Sequence, residues 1–292
     1  MSERIIQSLS IDIPGGCPNN CRFCVAHMHE NPYQNRMLFG KKDFDVAFND
    51  YLSRLRYVQK CGCQTIVLTG SGEPLVNKRY LFDFSLMMRL LGNPFEKIEL
   101  QTSGVHLDDE YLEFLKKTVM VSTISLSLSD IFDDQSNADI EQIPEKLRFE
   151  IETLCQKIKS HHINLRLSLN MSDVYNTRTP GEIFSKAKSL GADQVTIRKL
   201  YTSPKANTPQ DQWILEHLCS PNLLKKIKKF IKKGTKLEIL PFGAILYSVC
   251  DMSVVLDDDC MNQTVKNTLK YAILRSDCHL YSRWDNPGSL IV

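Results

Sequence analysis

Strand-like and helix-like segments alternate along this chain, and that alternation restricts its fold more than any other feature. "SLSIDIP" reads as a strand ending at Pro14, and "DFDVAFNDYLSRLRYVQKCG" carries Phe44, Phe48, Leu52 and Leu55 at helical spacing before a glycine stop. "TIVLTG" is a continuous apolar run, the pattern of a strand buried on both faces of a parallel sheet. "RYLFDFSLMMRLLG" is helical, "KIELQT" is a strand, and "DDEYLEFLKKT" is a helix with acids at its positive end. "STISLSLS", "INLRLSLNM" and "QVTIRKLY" are further strands. Between them stand a long helix within "EQIPEKLRFEIETLCQKIKSHH" and a shorter one in "PGEIFSKAKSLG", with Pro near its start and Gly after its end. Parallel strands need crossover connections, so the pattern predicts right-handed βαβ units and a parallel sheet.

Six such strands precede Tyr201. A closed eight-unit barrel needs two more units and about 250 residues. After residue 201 the rhythm changes to a Pro-rich connection, "YTSPKANTPQ", an amphipathic helix, "PNLLKKIKKFIKKG", and short strand-like pieces, "KLEIL", "SVVLDD", "YAILRSD" and "HLYSRW". The expected fold is α/β: a partial, open, six-stranded TIM-like barrel over residues 1–201. An extension over 202–292 packs on it and contributes to the substrate site. Sites on such sheets lie at the C-terminal ends of the strands, which collects Cys17, Gly70 to Pro74, Thr102, Ser127, Asn170 and Arg198 on one rim.

Apolar residues make up 42% of the 292 and charged residues 24%, ordinary values for a globular protein with a sizeable core. A net charge of +2 argues against a dedicated nucleic-acid partner. The N-terminus lacks the basic, apolar, small-residue order of a signal peptide, and no apolar run reaches membrane-span length, so a cytoplasmic protein without a membrane partner is expected. Ten cysteines in a reducing compartment are metal ligands or buried thiols rather than disulfides.

Three of those cysteines, Cys17, Cys21 and Cys24, fall within the eight residues "CPNNCRFC", in the loop after the first strand. Structural zinc and electron-transfer iron–sulfur clusters usually take four protein ligands. Three thiolates leave one position open, and an open position permits chemistry. The C-x3-C-x2-C spacing, with the aromatic Phe23 before the third Cys, resembles the cluster motif of the radical S-adenosylmethionine (radical SAM) superfamily. The resemblance implies that the three thiolates hold a [4Fe-4S] cluster and that S-adenosylmethionine occupies the open iron. It further implies that one electron cleaves the sulfonium to give methionine and a 5′-deoxyadenosyl radical. An electron donor such as flavodoxin or ferredoxin is then required. A zinc-holding, non-catalytic module is the alternative reading of the same cysteines.

The same resemblance implies a cofactor-binding role for Phe23 and for the loop Ser71, Gly72, Glu73 and Pro74 in "TGSGEP", where the family carries a Gly-Gly-Glu-Pro-like sequence that receives the methionine ammonium. Ser71 stands where the family often has Gly. Thr102 in "QTSG", Ser127 in "SLSLSD", Asn170 and Arg198 are implied cofactor contacts at the following strand ends. Arg166, Tyr201 and Asp251 are candidate substrate contacts. In the extension, Asp251, Asp257 to Asp259, Asp277 and Asp285 with Tyr281 and Trp284 suit a flat, amidine-bearing ring such as a guanine-like base. The size and build are similar to those of a queuine lyase, which implies a small-molecule substrate of the 7-deazaguanine type and side-chain cleavage. A peptide- or protein-modifying radical enzyme is the alternative. His27 and His29 follow the cluster motif and could meet substrate or be merely exposed. The lysines of "LLKKIKKFIKKGTK" form the outer face of a helix whose apolar stripe is Leu223, Leu224, Ile227, Phe230 and Ile231. Cys250, Cys260 and Cys278 are widely spaced and read as buried thiols. Cys61 and Cys63 lie at the opposite end of the second strand from the rim.

Overall fold

The computed structural model describes residues 5–28, 44–203, 205, 207–240, 243–256, 264–265, 267–284, 286 and 288–292. His29, Asp257 to Asp259, Cys260 and Asp285 lie outside them. The described strands are β1 (Ile5–Ile6), β2 (Ser8–Asp12), β3 (Thr65–Thr69), β4 (Lys97–Thr102), β5 (Thr123–Leu128), β6 (Asn164–Met171), β7 (Gln194–Lys199), β8 (Thr235–Ile239), β9 (Ile245–Val249), β10 (Met252–Leu256), β11 (Thr264–Val265), β12 (Thr268–Leu269), β13 (Ala272–Leu274) and β14 (Leu280–Tyr281). The α-helices are α1 (Phe44–Lys60), α2 (Lys78–Leu90), α3 (Asp109–Phe114), α4 (Asp134–Ile140), α5 (Ile151–Ser160), α6 (Pro180–Ser189), α7 (Pro209–Glu216) and α8 (Pro221–Ile231).

One sheet of eleven strands runs in the order β14-β13-β2-β3-β4-β5-β6-β7-β10-β9-β8. The six strands expected from the sequence, β2 to β7, are its parallel centre. The C-terminal region does more than pack on this centre. It adds a parallel strand at each side, β13 beside β2 and β10 beside β7, and antiparallel strands beyond them. Short, weakly patterned strands of this kind declare themselves only through their partners, which is why they read as an appendage in the sequence.

The strands are one-sided. Every strand residue of β2 to β7 in the main core cluster lies on the same face of the sheet: Leu9, Ile11, Ile66, Leu68, Ile98, Leu100, Ile124, Leu126, Leu128, Leu165, Leu167, Leu169, Met171, Val195 and the partly buried Ile197. They share that core with Leu55, Phe84, Leu112, Ile158, Phe184 and Ile227 from the helices. The opposite face carries Ser10, Asp12, Glu99, Thr123, Ser125, Ser168 and Asn170, all buried. Polar side chains are buried on the face away from the helices when a sheet curls over them, as in a partial barrel. The β3 sequence TIVLT therefore alternates in burial instead of being buried on both faces, because its second face looks into a polar interior.

Local signals explain most helix boundaries. The α6 helix starts at a capping box formed by Thr179 and Glu182, with Pro180 inside it. In α8, Leu223, Ile227 and Ile231 are buried while Lys225, Lys226, Lys228 and Lys229 are exposed, so the lysines form an outer face as expected. Two helices differ from expectation. The long segment before β6 is helical only from Ile151, after an unexpected α4. The Pro-rich connection leads into α7, whose signal was a second capping box, Thr208 with Asp211.

Candidate functional site

Three loops meet at the C-terminal rim of the sheet. The first, after β2, carries Cys17, Cys21 and Cys24. Cys17 is exposed, and the other two are partly buried and free of disulfides. Turns within the loop hold its shape: Cys24 N–H donates to Cys21 O and His27 N–H to Cys24 O, each at 3.1 Å. Burial pushes the Cys21 thiol well up. Such thiols become thiolates when a cation offsets the desolvation. No group of three or more His, Cys, Asp or Glu side chains among the described residues converges to hold a single ion. In a cubic cluster each thiolate takes a different iron, so three cysteines on one loop fit the cluster and leave its fourth iron open.

The second loop, after β3, packs directly on the first. A Cβ at Gly72 would lie 2.5 Å from Gly16 O and 2.7 Å from Gly15 O, so only glycine allows this approach. Glu73 N–H donates to Gly16 O at 3.1 Å and ties the two loops together. The Glu73 side chain is buried and faces the third loop, after β4. Its Oε1 accepts from Thr102 Oγ1 (2.7 Å) and Leu75 N–H (3.2 Å). Its Oε2 accepts from the Ser103 backbone N–H (2.9 Å) and hydroxyl (2.7 Å). Burial raises its carboxyl above the usual range, and these four donors pull it back. Glu73 is therefore a strut between loops. Thr102 is engaged by Glu73 and by Gly104 N–H in the same strut.

Farther round the rim, Asn170 Nδ2 donates to Ser127 Oγ at 3.0 Å, and Arg198 is exposed on the same strand-end row. Tyr201 follows two residues beyond β7. Phe23 lies 6.2 Å, centroid to centroid, from Trp213 of α7, which stacks on His217 at 4.4 Å. The cluster loop thus meets an aromatic pair from the segment that follows the Pro-rich connection. His27 is exposed at the loop's end.

Two expected substrate contacts lie elsewhere. Arg166 sits four residues before Asn170 on β6, about 13 Å below it at the rise of a parallel strand. There it pairs with Glu99 and donates to Gln194 Oε1. Asp251 occupies the tight β9–β10 turn, at φ 55° beside Cys250 at 51°. Because β10 runs parallel to β7, that turn is at the opposite end of the sheet from the rim. The β13–β14 turn with Cys278 is at the rim end, so Cys250 and Cys278 cannot share a cluster. Asp277 accepts from the Tyr281 hydroxyl at 2.7 Å, and Trp284 covers the Arg275 guanidinium at 5.0 Å. These acid and aromatic side chains are engaged with each other.

Residues missed in the sequence stand directly under the site. Asp12 accepts from Ser71 N–H at 3.1 Å. Glu141, buried next to the cluster loop, accepts from Ser129 Oγ at 3.0 Å and is pushed up to about 8 by burial. Asp12 had a visible signal, a charged residue in a strand of otherwise apolar and hydroxyl side chains. Glu141 had none, since its burial is a long-range event.

Residues 11–164, more than half of the chain, match the family model of the radical SAM superfamily. The chain belongs to that superfamily. Among solved structures it is similar to coproporphyrinogen III oxidase of Escherichia coli, a radical SAM enzyme, with a TM-score of 0.51 and 16% identity over 78% of this chain and 51% of that one. It thus spans about half the length of the oxidase. It is also similar to anSMEcpe with bound AdoMet and Cp18Cys peptide, with a TM-score of 0.62 and 13% identity over 97% of this chain and 75% of that one. At such identities these likenesses speak for the fold. No curated protein matches the sequence.

Proposed function

We propose that this protein cleaves S-adenosylmethionine reductively at a [4Fe-4S] cluster held by Cys17, Cys21 and Cys24, and abstracts hydrogen from a small polar substrate. The observation that carries this is the junction of the cysteine loop with the Gly70–Pro74 loop, backbone against backbone through Gly72, at the strand-end rim. Bound there, cluster and cofactor together supply the electron transfer and hydrogen abstraction. The protein's part is placement and exclusion of water. Ser127, Asn170 and Arg198 face the rim where the nucleoside part of the cofactor would extend. The buried hydroxyls and amides of the sheet's polar face suit a hydrophilic substrate beneath it. Free thiols at all nine described cysteines suit a reducing compartment, such as the cytoplasm, with a flavodoxin- or ferredoxin-like donor.

The substrate is a narrower matter. Of the acids and aromatics that suggested a guanine-like base, Asp277, Tyr281 and Trp284 are engaged internally and Asp251 stands at the far end of the sheet, so a 7-deazaguanine stands as one member of a test panel. A peptide substrate has one feature in its favour. All five β8 residues are exposed, no described segment pairs with the strand's outer edge, and β8 runs toward the rim. Such an edge can take an added strand.

Anaerobically reconstituted protein with dithionite should convert S-adenosylmethionine to 5′-deoxyadenosine, and Cys24→Ala should abolish the product. Continued formation by Cys24→Ala would overturn the assignment. A rise in product with one of a panel of polar metabolites, 7-deazaguanines and short peptides identifies the substrate class.

A further inference from the structure

We propose that Asp12 and Arg275 form a positioning pair that sets the Gly70–Pro74 loop, so that the C-terminal segment governs how tightly S-adenosylmethionine is held. This rests on the assignment of that loop to the cofactor. Register brings the pair together: Leu274 of β13 is aligned with Ile11 of β2, so the next residues, Arg275 and Asp12, stand side by side at the rim. Their side chains are 3% and 2% exposed. Arg275 Nη1 donates to Asp12 Oδ2 at 2.8 Å, and the other carboxylate oxygen accepts from Ser71 N–H at 3.1 Å. The carboxylate is thereby held at both oxygens, one by the C-terminal segment and one by the loop.

The arginine is itself fixed from several directions. Nη2 donates to Trp284 O at 2.8 Å, and the guanidinium lies over the Trp284 and Tyr281 rings at 5.0 and 5.8 Å. The Tyr51 hydroxyl donates to Arg275 O at 2.6 Å, and Arg54 Nε donates to Cys278 O at 3.2 Å, tying the same turn to α1. Removing the guanidinium leaves a lone buried carboxylate. It must then turn toward water or take up a proton. Either change alters the acceptor for Ser71 N–H. The adjoining Gly72 is in backbone contact with Gly15 and Gly16, so a shift in this loop reaches the cluster loop as well.

The test compares reconstituted wild type with Arg275→Gln, Asp12→Asn and the double variant. Three quantities are read: hydrogen exchange at Ser71, the Kd for S-adenosylmethionine, and Tm. Each single variant is expected to speed exchange at Ser71 and weaken cofactor binding about tenfold or more, the scale of outer-shell losses. The double variant carries a neutral amide pair with no lone buried charge. It should fold even where a single variant does not, and should recover part of both losses. A Tm decrease with unchanged Ser71 exchange and unchanged Kd would show a merely structural ion pair and overturn the proposal, as would strictly additive losses in the double variant. If wild type fails to bind S-adenosylmethionine, the cofactor assignment falls and the functional claim falls with it. Ser71 exchange would still report whether the pair sets the loop.

Discussion

Gly72 is the residue at which the two rim loops approach most closely. Its missing Cβ leaves room for two carbonyls of the cysteine loop, whereas a Cβ built at Gly16 meets nothing within 4 Å. Gly72→Ala should therefore displace the cysteine loop, cost about 1–3 kcal/mol as an overpacked contact, and reduce iron content on reconstitution. Gly16→Ala should leave both near wild type. Chemical unfolding and iron analysis of the two variants check this, and equal behaviour would refute the packing account. Glu73 shows a second lesson at this scale. Its carboxylate, in a loop that resembles a cofactor motif, meets four donors of the protein itself. Residue type was legible in the sequence; the partner was not, because Thr102 and Ser103 arrive from another strand.

At the scale of the element, each central strand divides its side chains between a helix-facing apolar core and a polar interior. On β5, Leu126 is fully buried against the helices, whereas Ser127 faces the interior and meets Asn170. Leu126→Ala should cost about 2–5 kcal/mol of stability by leaving a cavity. Ser127→Ala should cost about 1 kcal/mol, the net worth of a hydrogen bond, while weakening cofactor affinity. Urea unfolding and equilibrium binding separate the two, and equal stability losses would contradict the division of faces. The alternation was written in "SLSID", "KIELQT" and "NLRLSLNM". Its meaning, a polar lumen instead of a solvent face, depends on the sheet curling, which no single strand encodes.

For the molecule as a whole, the barrel and the C-terminal region share one hydrophobic core. One core cluster contains Leu9, Leu68 and Leu167 together with Ile227, Val254, Leu274 and Leu280. Both tryptophans, Trp213 and Trp284, lie in the C-terminal region. Their fluorescence should follow that region, while far-ultraviolet circular dichroism follows the whole sheet. The two probes are expected to give coincident unfolding transitions, because β13 and β10 complete the sheet on both sides of its centre. Separate transitions would show that the two regions unfold independently.

What the sequence determined alone is what short-range chemistry encodes. The strand–helix rhythm set a parallel α/β sheet, and the C-x3-C-x2-C spacing placed three thiols on one loop with a ligand position open. Tertiary structure decided which polar groups are engaged with one another. It turned Glu73 into a strut, paired Arg166 with Glu99, sent Asp251 to the far end of the sheet and set Arg275 beside Asp12. The physical reason is range. Helix caps, alternation and ligand spacing act within a few residues. A buried charge finds its partner across 263 positions of chain, and that distance is bridged only when the sheet assembles.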